Sequence, residues 1–179
     1  KVAEWPVGTE AIRALAFHAS GKVLAIGSGA PGASGSVILL DTTTGQATQT
    51  LKIHDDTIEG LAFSGDVLLS ASDDEKVVLT DTKTGTRIGV LSEHIGRCLS
   101  VAVPVRTTDG AGGAIFATGG ADKMVKIWDA NLRRVVVNFD QAQSAVWSLT
   151  ALPQPGRFVA GCDDGTVRIF QVRADRPGV

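Results

Sequence analysis

Short apolar runs separated by Gly, Asp and Pro recur along this chain, and none has the sustained 3.6-residue periodicity of a long helix. The stretch 115–129 (IFATGGADKMVKIWD) shows the pattern most clearly. Residues 115–119 and 124–128 are rich in β-branched and aromatic residues, and a Gly-Gly-Ala-Asp-Lys corner joins them. Two such runs around a tight corner are typical of a β-hairpin. The pattern therefore predicts an all-β fold.

The strand that ends at Trp128 recurs along the chain. Asp41, Asp81, Asp129 and Gln171 each follow a similar apolar run, at intervals of 40, 48 and 42 residues. The turns at 42–45 (TTTG) and 82–85 (TKTG) are nearly identical, which indicates duplication. The chain divides into four units, approximately 1–53, 54–93, 94–140 and 141–179. Their predicted strands are inner (12–17, 58–63, 98–103, 146–151), second (23–27, 67–72, 115–119, 158–162), third (37–40, 77–80, 125–128, 167–170) and outer (46–53, 86–91, 133–139).

The Trp-Asp dipeptide in units of this length resembles the WD-repeat β-propeller family, over nearly the whole chain. The resemblance implies four-stranded antiparallel sheets, one per blade, in about four repeats. Since propellers have roughly 4–8 blades and this family usually about seven, we expect an incomplete ring. It would be part of a longer propeller, or it would be completed by a second copy or a partner. Residues 2–7 predict an outer strand before the first unit, and none follows the fourth.

Two insertions interrupt the period. In the first unit, residues 28–36 (SGAPGASGS) replace a tight corner and predict a Gly/Ser/Ala-rich loop. In the third unit, residues 105–114 lengthen the connection between the first two strands. Loops tolerate insertions, so neither alters the predicted blades.

The resemblance also implies a structural network within each blade: a His, a Ser or Thr, an Asp and a Trp. Three units lack parts of it. Thr80 stands at the Trp position of the second, the fourth keeps only the corner Asp, and the first has Leu40 at the Trp position and no corner Asp. A His near a hydroxyl and an Asp also permits a catalytic-triad interpretation. Recurrence in several units favours a structural role instead. The expected network residues are His94, Thr118, Asp122, Trp128, His54, Ser70, Asp74 and Asp164.

Composition narrows the remaining possibilities. A net charge of −2 disfavours a general nucleic-acid binder, which should be basic overall. The sequence contains no run of 18 apolar residues, so it predicts no membrane span. Cys98 and Cys162 form no metal or haem motif, and we expect two buried thiols and no cofactor. Paired carboxylates could serve a hydrolase or a calcium site, but we expect solvated loop carboxylates: Asp55-Asp56, Asp73-Asp74 and Asp163-Asp164.

The origin of the chain is only partly indicated. It begins with neither an initiator Met nor a signal peptide, which suggests a processed product or an excerpt. Segments such as IGSGAPGASGSV are similar to bacterial WD-repeat segments of large multidomain proteins. A cytoplasmic location is the default expectation, and an exported bacterial location is the alternative.

The resemblance implies partner binding at the narrow top face of the blades. We expect a non-catalytic scaffold that binds protein partners there. The alternatives are an architectural piece of a large assembly or multidomain bacterial protein, and a propeller hydrolase or lyase with a site at the channel mouth. Trp147 is the strongest candidate, because Trp and Arg are favoured interface anchors, although its indole could instead pack against a neighbouring blade. The candidate contacts are Trp147, Asp163, Arg97, Glu59, Asp73 and Arg13.

Overall fold

The computed structural model describes residues 4–8, 10–104 and 115–172, and within them it contains strands, turns and bends but no helix. Fifteen strands in this part of the chain form four antiparallel sheets, each a simple meander. The first holds β1 (Ile12–Phe17), β2 (Val23–Ala30), β3 (Ser34–Asp41) and β4 (Ala47–His54), and the second holds β5 (Ile58–Ser64), β6 (Val67–Ser72), β7 (Val77–Asp81) and β8 (Thr86–Leu91). The third holds β9 (Cys98–Ala102), β10 (Ile115–Gly120), β11 (Val125–Asp129) and β12 (Arg134–Phe139), and the fourth β13 (Val146–Ala151), β14 (Arg157–Cys162) and β15 (Val167–Gln171).

The sheets stack face to face in chain order, so that β1, β5, β9 and β13 contact one another in succession. Each interface between neighbouring sheets encloses one apolar cluster. Between the first two sheets, for example, Val37 and Leu39 of β3 pack on Ile58 and Leu61 of β5. The described sheets form an open arc, and the prediction of all-β propeller blades is confirmed. We number the sheets as blades 1 to 4.

The prediction of a loop over residues 28–36 is wrong. β2 and β3 continue pairing through Ser28↔Ser36 to Ala30↔Ser34, leaving only residues 31–33 as a turn. The small residues are needed because this extended hairpin lies directly against the second blade. A Cβ on Gly35 would lie 2.1 Å from the carbonyl oxygen of Asp56, and one on Gly29 would lie 2.7 Å from the Thr57 Cα. The Gly-rich composition therefore reflects close packing rather than a loop.

The prediction of an outer strand at residues 2–7 is also wrong for the described residues of that segment, because residues 4–8 form no strand. This segment instead crosses the free face of blade 1. Val7 packs on a buried cluster of Leu24, Ile26, Ile38 and Leu40, and the Trp5 indole lies over Gly45. Residues 2–3 and the 105–114 insertion lie outside the described residues.

Candidate functional site

Blade 3 holds a chain of buried polar side chains that runs from the loop before its inner strand to its second and third strands. His94 precedes β9, Thr118 lies on β10, Asp122 lies in the β10–β11 corner and Trp128 lies on β11. The His94 ring bridges two of the others, with Nδ1 2.8 Å from Asp122 Oδ2 and Nε2 2.7 Å from Thr118 Oγ1. Trp128 Nε1 donates to the same hydroxyl at 2.7 Å. We call these four residues the His94 network.

For a neutral imidazole, the donors and acceptors of the His94 network fix one arrangement of protons. The indole N–H can only donate, so Thr118 Oγ1 accepts from Trp128 and its own hydrogen is free to reach His94 Nε2. The imidazole then carries its proton on Nδ1 and donates to Asp122. Every member has a partner, which is what burial of such groups requires.

Blade 2 repeats the arrangement with one member missing. His54 Nδ1 lies 2.9 Å from Asp74 Oδ2, and its Nε2 lies 2.8 Å from the Ser70 hydroxyl. At the Trp position stands Thr80, which is fully buried and whose hydroxyl has no hydrogen-bond partner. We call His54, Ser70 and Asp74 the His54 network.

Both corner carboxylates are held as anions. Burial alone would raise the pKa of Asp122, but hydrogen bonds from His94 and from the backbone N–H groups of Ile95 and Met124 bring that pKa below its usual value. The pKa of Asp74 is likewise lowered, because its bonds from His54 and two backbone N–H groups outweigh burial. These carboxylates join the loop before the inner strand to the hairpin corner.

Blade 4 departs from this pattern, and the expectation that Asp164 joins a buried network is wrong. Asp164 accepts hydrogen bonds from the Thr166 backbone N–H and hydroxyl and from the Arg168 guanidinium, all at the surface. These interactions strongly lower the pKa of Asp164, with the Arg168 bond the largest cause. The blade has no His to reach it, because the corresponding position is the buried Ala142.

Blade 1 uses two carboxylates that the sequence did not single out for it. The Glu10 carboxylate accepts from the Ser28 and Ser34 hydroxyls, at 3.3 and 3.4 Å. Asp56, from the next blade, accepts from the Gly32 N–H at 2.8 Å and so anchors the extended hairpin. Backbone donation from Gly32 is the main reason that the pKa of Asp56 is lowered. Neither position belongs to the expected network, although both carboxylates stand two residues before an inner strand, Glu10 before Ile12 and Asp56 before Ile58.

The six candidate contact residues lie on the same side of the blades and interact from one blade to the next. Arg13 Nε of blade 1 lies 3.4 Å from Glu59 Oε1 of blade 2. Asp73 of blade 2 lies 3.7 Å from Arg97 of blade 3, which stacks over the Trp147 ring of blade 4 at 5.9 Å. Trp147 Nε1 donates to Asp163 at 2.9 Å. We call Asp73, Arg97, Trp147 and Asp163 the top cluster.

The backbone holds the top cluster in a fixed position. In three blades, the N–H of the corner residue donates to the carbonyl just before or at the start of the inner strand: Asp73 to Thr57, Ala121 to Arg97, and Asp163 to Ala145, at 2.9–3.0 Å. Trp147 itself is 48% exposed. Its indole is therefore held by a hydrogen bond and a cation–π contact but is not sealed between blades.

Two carboxylates beside this surface are poorly solvated. Burial raises the pKa of Glu59, and the neighbouring Arg13 only partly opposes this. Burial likewise raises the pKa of Asp73, against the effect of Arg97. One Asp73 oxygen, Oδ1, is buried without a hydrogen-bond partner. The surface thus combines a half-exposed aromatic ring with one carboxylate, Asp73, that protein groups do not fully satisfy.

The sequence patterns missed one residue on this side. Ile95 follows His94 in the loop before β9 and is 87% exposed, the most exposed large apolar side chain among the described residues. Its backbone N–H donates to Asp122, so the loop is fixed while the side chain points to solvent. The sequence feature that could have indicated its exposure is its position, which corresponds to that of Asp55 in blade 2.

Comparison with protein families identifies the repeats that build this surface. The family "WD domain, G-beta repeat" matches residues 85–129 and 133–171. Residues 85–129 and 133–171 are WD40 repeats. The matched segments include all four residues of the His94 network, together with Arg97, Trp147 and Asp163.

Curated relatives are WD40 proteins of greater length. The chain is 31% identical over 112 residues to a guanine nucleotide-binding protein subunit beta from Oryza sativa subsp. japonica, a match that covers 59% of this chain and 28% of that protein. It is 27% identical over 143 residues to pre-mRNA-processing factor 19 from Bos taurus, covering 79% of this chain and 27% of that protein. The chain spans little more than a quarter of the length of these relatives.

A solved structure shows the same fold. The crystal structure of the computationally designed Ika4 protein superposes with a TM-score of 0.77 at 23% identity, covering 97% of this chain and 98% of that one. At this identity the likeness concerns the fold alone.

Other chemistry finds little support in the described residues. They contain no cluster of three or more His, Cys, Asp or Glu side chains that could hold a metal, and no helix long and apolar enough to cross a membrane. Both cysteines are free, with Cys98 buried and Cys162 half-buried rather than fully buried as expected. Burial raises the pKa of the Cys98 thiol well above its usual range.

Proposed function

We propose that this WD40 chain is a non-catalytic interaction module that binds a protein partner over the top cluster. The observation that carries the proposal is Trp147, a large side chain left half exposed while Asp163 and Arg97 fix its position. A fixed side chain loses little conformational entropy when it is covered. Trp and Arg are also the residues most often found at the energetic centre of protein interfaces.

The surroundings of Trp147 supply the polar contacts that a partner would use. Arg97 is half exposed and already lies between Asp73 and the indole. Asp73 Oδ1 remains unsatisfied within the chain, and burial raises the pKa of both Glu59 and Asp73. Donors from a partner would improve the environment of these carboxylates, because a buried carboxylate oxygen without a partner costs free energy. The exposed Ile95 adds apolar area on the same side.

The catalytic-triad interpretation depends on the His-hydroxyl-Asp sets, and their burial argues against it. Ser70 and Thr118 are fully buried, and the Thr118 hydroxyl is engaged by Trp128 as well as by His94. A nucleophile must reach its substrate, whereas these hydroxyls face protein on all sides. Two such sets in successive blades are better explained as ties between a loop and a hairpin corner.

The partner's identity and the whole protein's activity are separate proposals, because the matched relatives are much longer than this chain. We propose that the parent protein uses this segment for assembly, as a scaffold or as an architectural piece. The open arc supports the further expectation that additional blades or a second copy complete the ring. We propose no nucleic-acid ligand and no cofactor.

The direct test is partner capture by the tagged protein, comparing wild type with Trp147→Ala. Removing a Trp anchor is expected to weaken binding by about thirtyfold, corresponding to roughly 2 kcal/mol. Val136→Ala is the matched control, because Val136 is 38% exposed on the outer strand β12, away from the top cluster. Thermal unfolding would first show that both proteins are folded. Equal recovery of the partner by wild type and Trp147→Ala would then contradict the proposal.

A further inference from the structure

Every interior blade interface in this protein joins two different kinds of face. The face of blade 1 directed at blade 2, here called the outgoing face, presents Ala14, Ala25, Val37 and Leu39. The face of blade 2 that receives it, the incoming face, presents Ile58, Leu61 and Leu68. The same division recurs between blades 2 and 3 and between blades 3 and 4. An outgoing face is therefore matched by an incoming one wherever two blades meet.

Among the described residues, no blade covers the outgoing face of blade 4. Strand pairing aligns β14 and β15 with β2 and β3, so Val167 and Ile169 correspond to Val37 and Leu39. Val37 and Leu39 are 0% and 2% exposed, whereas Val167 and Ile169 are 73% and 66% exposed. The sequence of this face is that of a buried interface, although nothing in the described chain covers it.

Blade 1 has the complementary deficit. Ile12 and Leu15 of β1 correspond to Ile58 and Leu61 of β5, which are 0% and 9% exposed. In blade 1 the two side chains are 50% and 61% exposed. Residues 4–8 cover only the outer part of this incoming face, where Val7 packs on the cluster around Leu24. The inner part remains free.

We propose that a second copy of this chain covers both faces, with blade 4 of each copy docked on blade 1 of the other. Val167 and Ile169 would then contact Ile12 and Leu15 of the second copy, repeating the contact between Val37, Leu39, Ile58 and Leu61. On docking, residues 4–8 would move off Leu24, and blade 4 of the second copy would pack there in their place. Because each chain carries one free face of each kind, two chains leave neither uncovered, and head-to-tail contacts that close form a ring. Two sets of four blades give eight, the upper end of the usual propeller range of roughly 4–8.

This proposal uses residues outside the top cluster, so it stands or falls separately from partner binding at Trp147. It predicts that the 179-residue chain sediments as a dimer of twice 18.5 kDa. Two variants remove one face each: Leu15→Asp on blade 1, and Val167→Asp with Ile169→Asp on blade 4. Either one should raise the dimer dissociation constant on the order of a hundredfold or more, because a buried charge is placed in an apolar contact.

Mixing the two variants distinguishes head-to-tail docking from any other dimer. The Leu15→Asp chain keeps its blade 4 face, and the Val167→Asp, Ile169→Asp chain keeps its blade 1 face. Their mixture should therefore form a one-to-one dimer through a single intact interface, although each variant alone is a monomer.

Sedimentation velocity over a concentration series, with native mass spectrometry, measures all of these states. The matched control is Val90→Asp with Val136→Asp, which adds two charges at exposed valines on the outer strands of blades 2 and 3. The control should remain dimeric. A monomeric wild type, an open-ended series of larger oligomers, or a mixture that does not associate would overturn the proposal.

Discussion

The His94 network and the top cluster use similar polar side chains on the same side of the molecule, but burial gives them opposite roles. In the network, His94 and Thr118 are 4% and 0% exposed, and every polar group has a partner inside the blade. In the top cluster, Trp147 is half exposed and an Asp73 oxygen remains unsatisfied. Groups satisfied within a blade contribute to its stability, and groups left incompletely satisfied at a rigid surface are available to a partner.

The largest expected effect is the loss of a corner carboxylate from the network. Asp122→Ala leaves the His94 Nδ1–H and the backbone N–H groups of Ile95 and Met124 without their acceptor. The free energy of unfolding should fall by roughly 3 kcal/mol. Chemical denaturation measures the change.

The matched control for Asp122→Ala is Asp164→Ala, at the corresponding corner of blade 4, where the carboxylate is at the surface. That variant should change stability much less. Equal losses in the two variants would show that burial does not separate the corner carboxylates as we infer.

Replacing Arg97 should affect binding rather than stability. Arg97→Ala removes both the stacking contact with Trp147 and the ion pair with Asp73. We expect partner affinity to fall about tenfold, as for an interface residue that contributes on the order of 1.4 kcal/mol. Arg97→Lys should recover only part of the affinity, because an ammonium group does not reproduce the planar stacking of a guanidinium. Titration of the captured partner measures this, and full recovery by Lys would show that charge alone matters.

The same substitution at two threonines should have opposite signs. Thr118→Val removes the hydroxyl that links His94 to Trp128 and should lower the free energy of unfolding by about 2 kcal/mol. Thr80→Val removes a buried hydroxyl that has no partner, and should raise it by about 1 kcal/mol. Thermal unfolding of the two isosteric variants provides the comparison. Destabilisation by Thr80→Val would show that this hydroxyl has an interaction absent from our description.

The smallest effect concerns the pH dependence at Asp73. Burial raises the pKa of this carboxyl in the folded protein, so ionisation opposes folding above that pKa, and the penalty disappears as the pH falls below the unfolded value of about 3.9. Asp73→Asn should therefore stabilise the protein by roughly a few tenths of a kcal/mol at pH 7. At pH 3 it should have almost no effect. Denaturation at the two pH values checks this, and a loss of stability at pH 7 would mean that the Arg97 contact outweighs burial.

The periodic parts of the fold could be predicted from the sequence, because each strand repeats the same alternation. The inner strand at 12–17, the second strand at 67–72 and the outer strand at 86–91 agree with the structure at both ends. The predictions that failed concern segments whose structure depends on contacts with a neighbouring blade or that do not repeat along the chain. The small residues around Gly29 and Gly35 have a composition typical of a loop, and nothing in the local sequence indicates that blade 2 packs against them.

The residues of the candidate site could likewise be predicted only where they stand at repeat positions. Repeat positions located His94, Asp122 and Trp147, but only the folded chain shows that Asp163 holds the indole. Asp164 fits the corner motif, yet its blade lacks a His, so it pairs with Arg168 at the surface instead. A motif position predicts a buried network only when all of its partners are present in the same blade.

Site-specific photo-crosslinking tests the central claim most directly, because it reports where a partner lies without altering the network. A photoreactive phenylalanine analogue would replace Ile95, which is 87% exposed beside the top cluster, in one protein and Val136 in another, so that Trp147 stays in place. We predict a covalent adduct with the captured partner from position 95 and none from position 136. An adduct from position 136 alone, or equal adducts from both positions, would contradict the assignment of the top cluster as the binding surface.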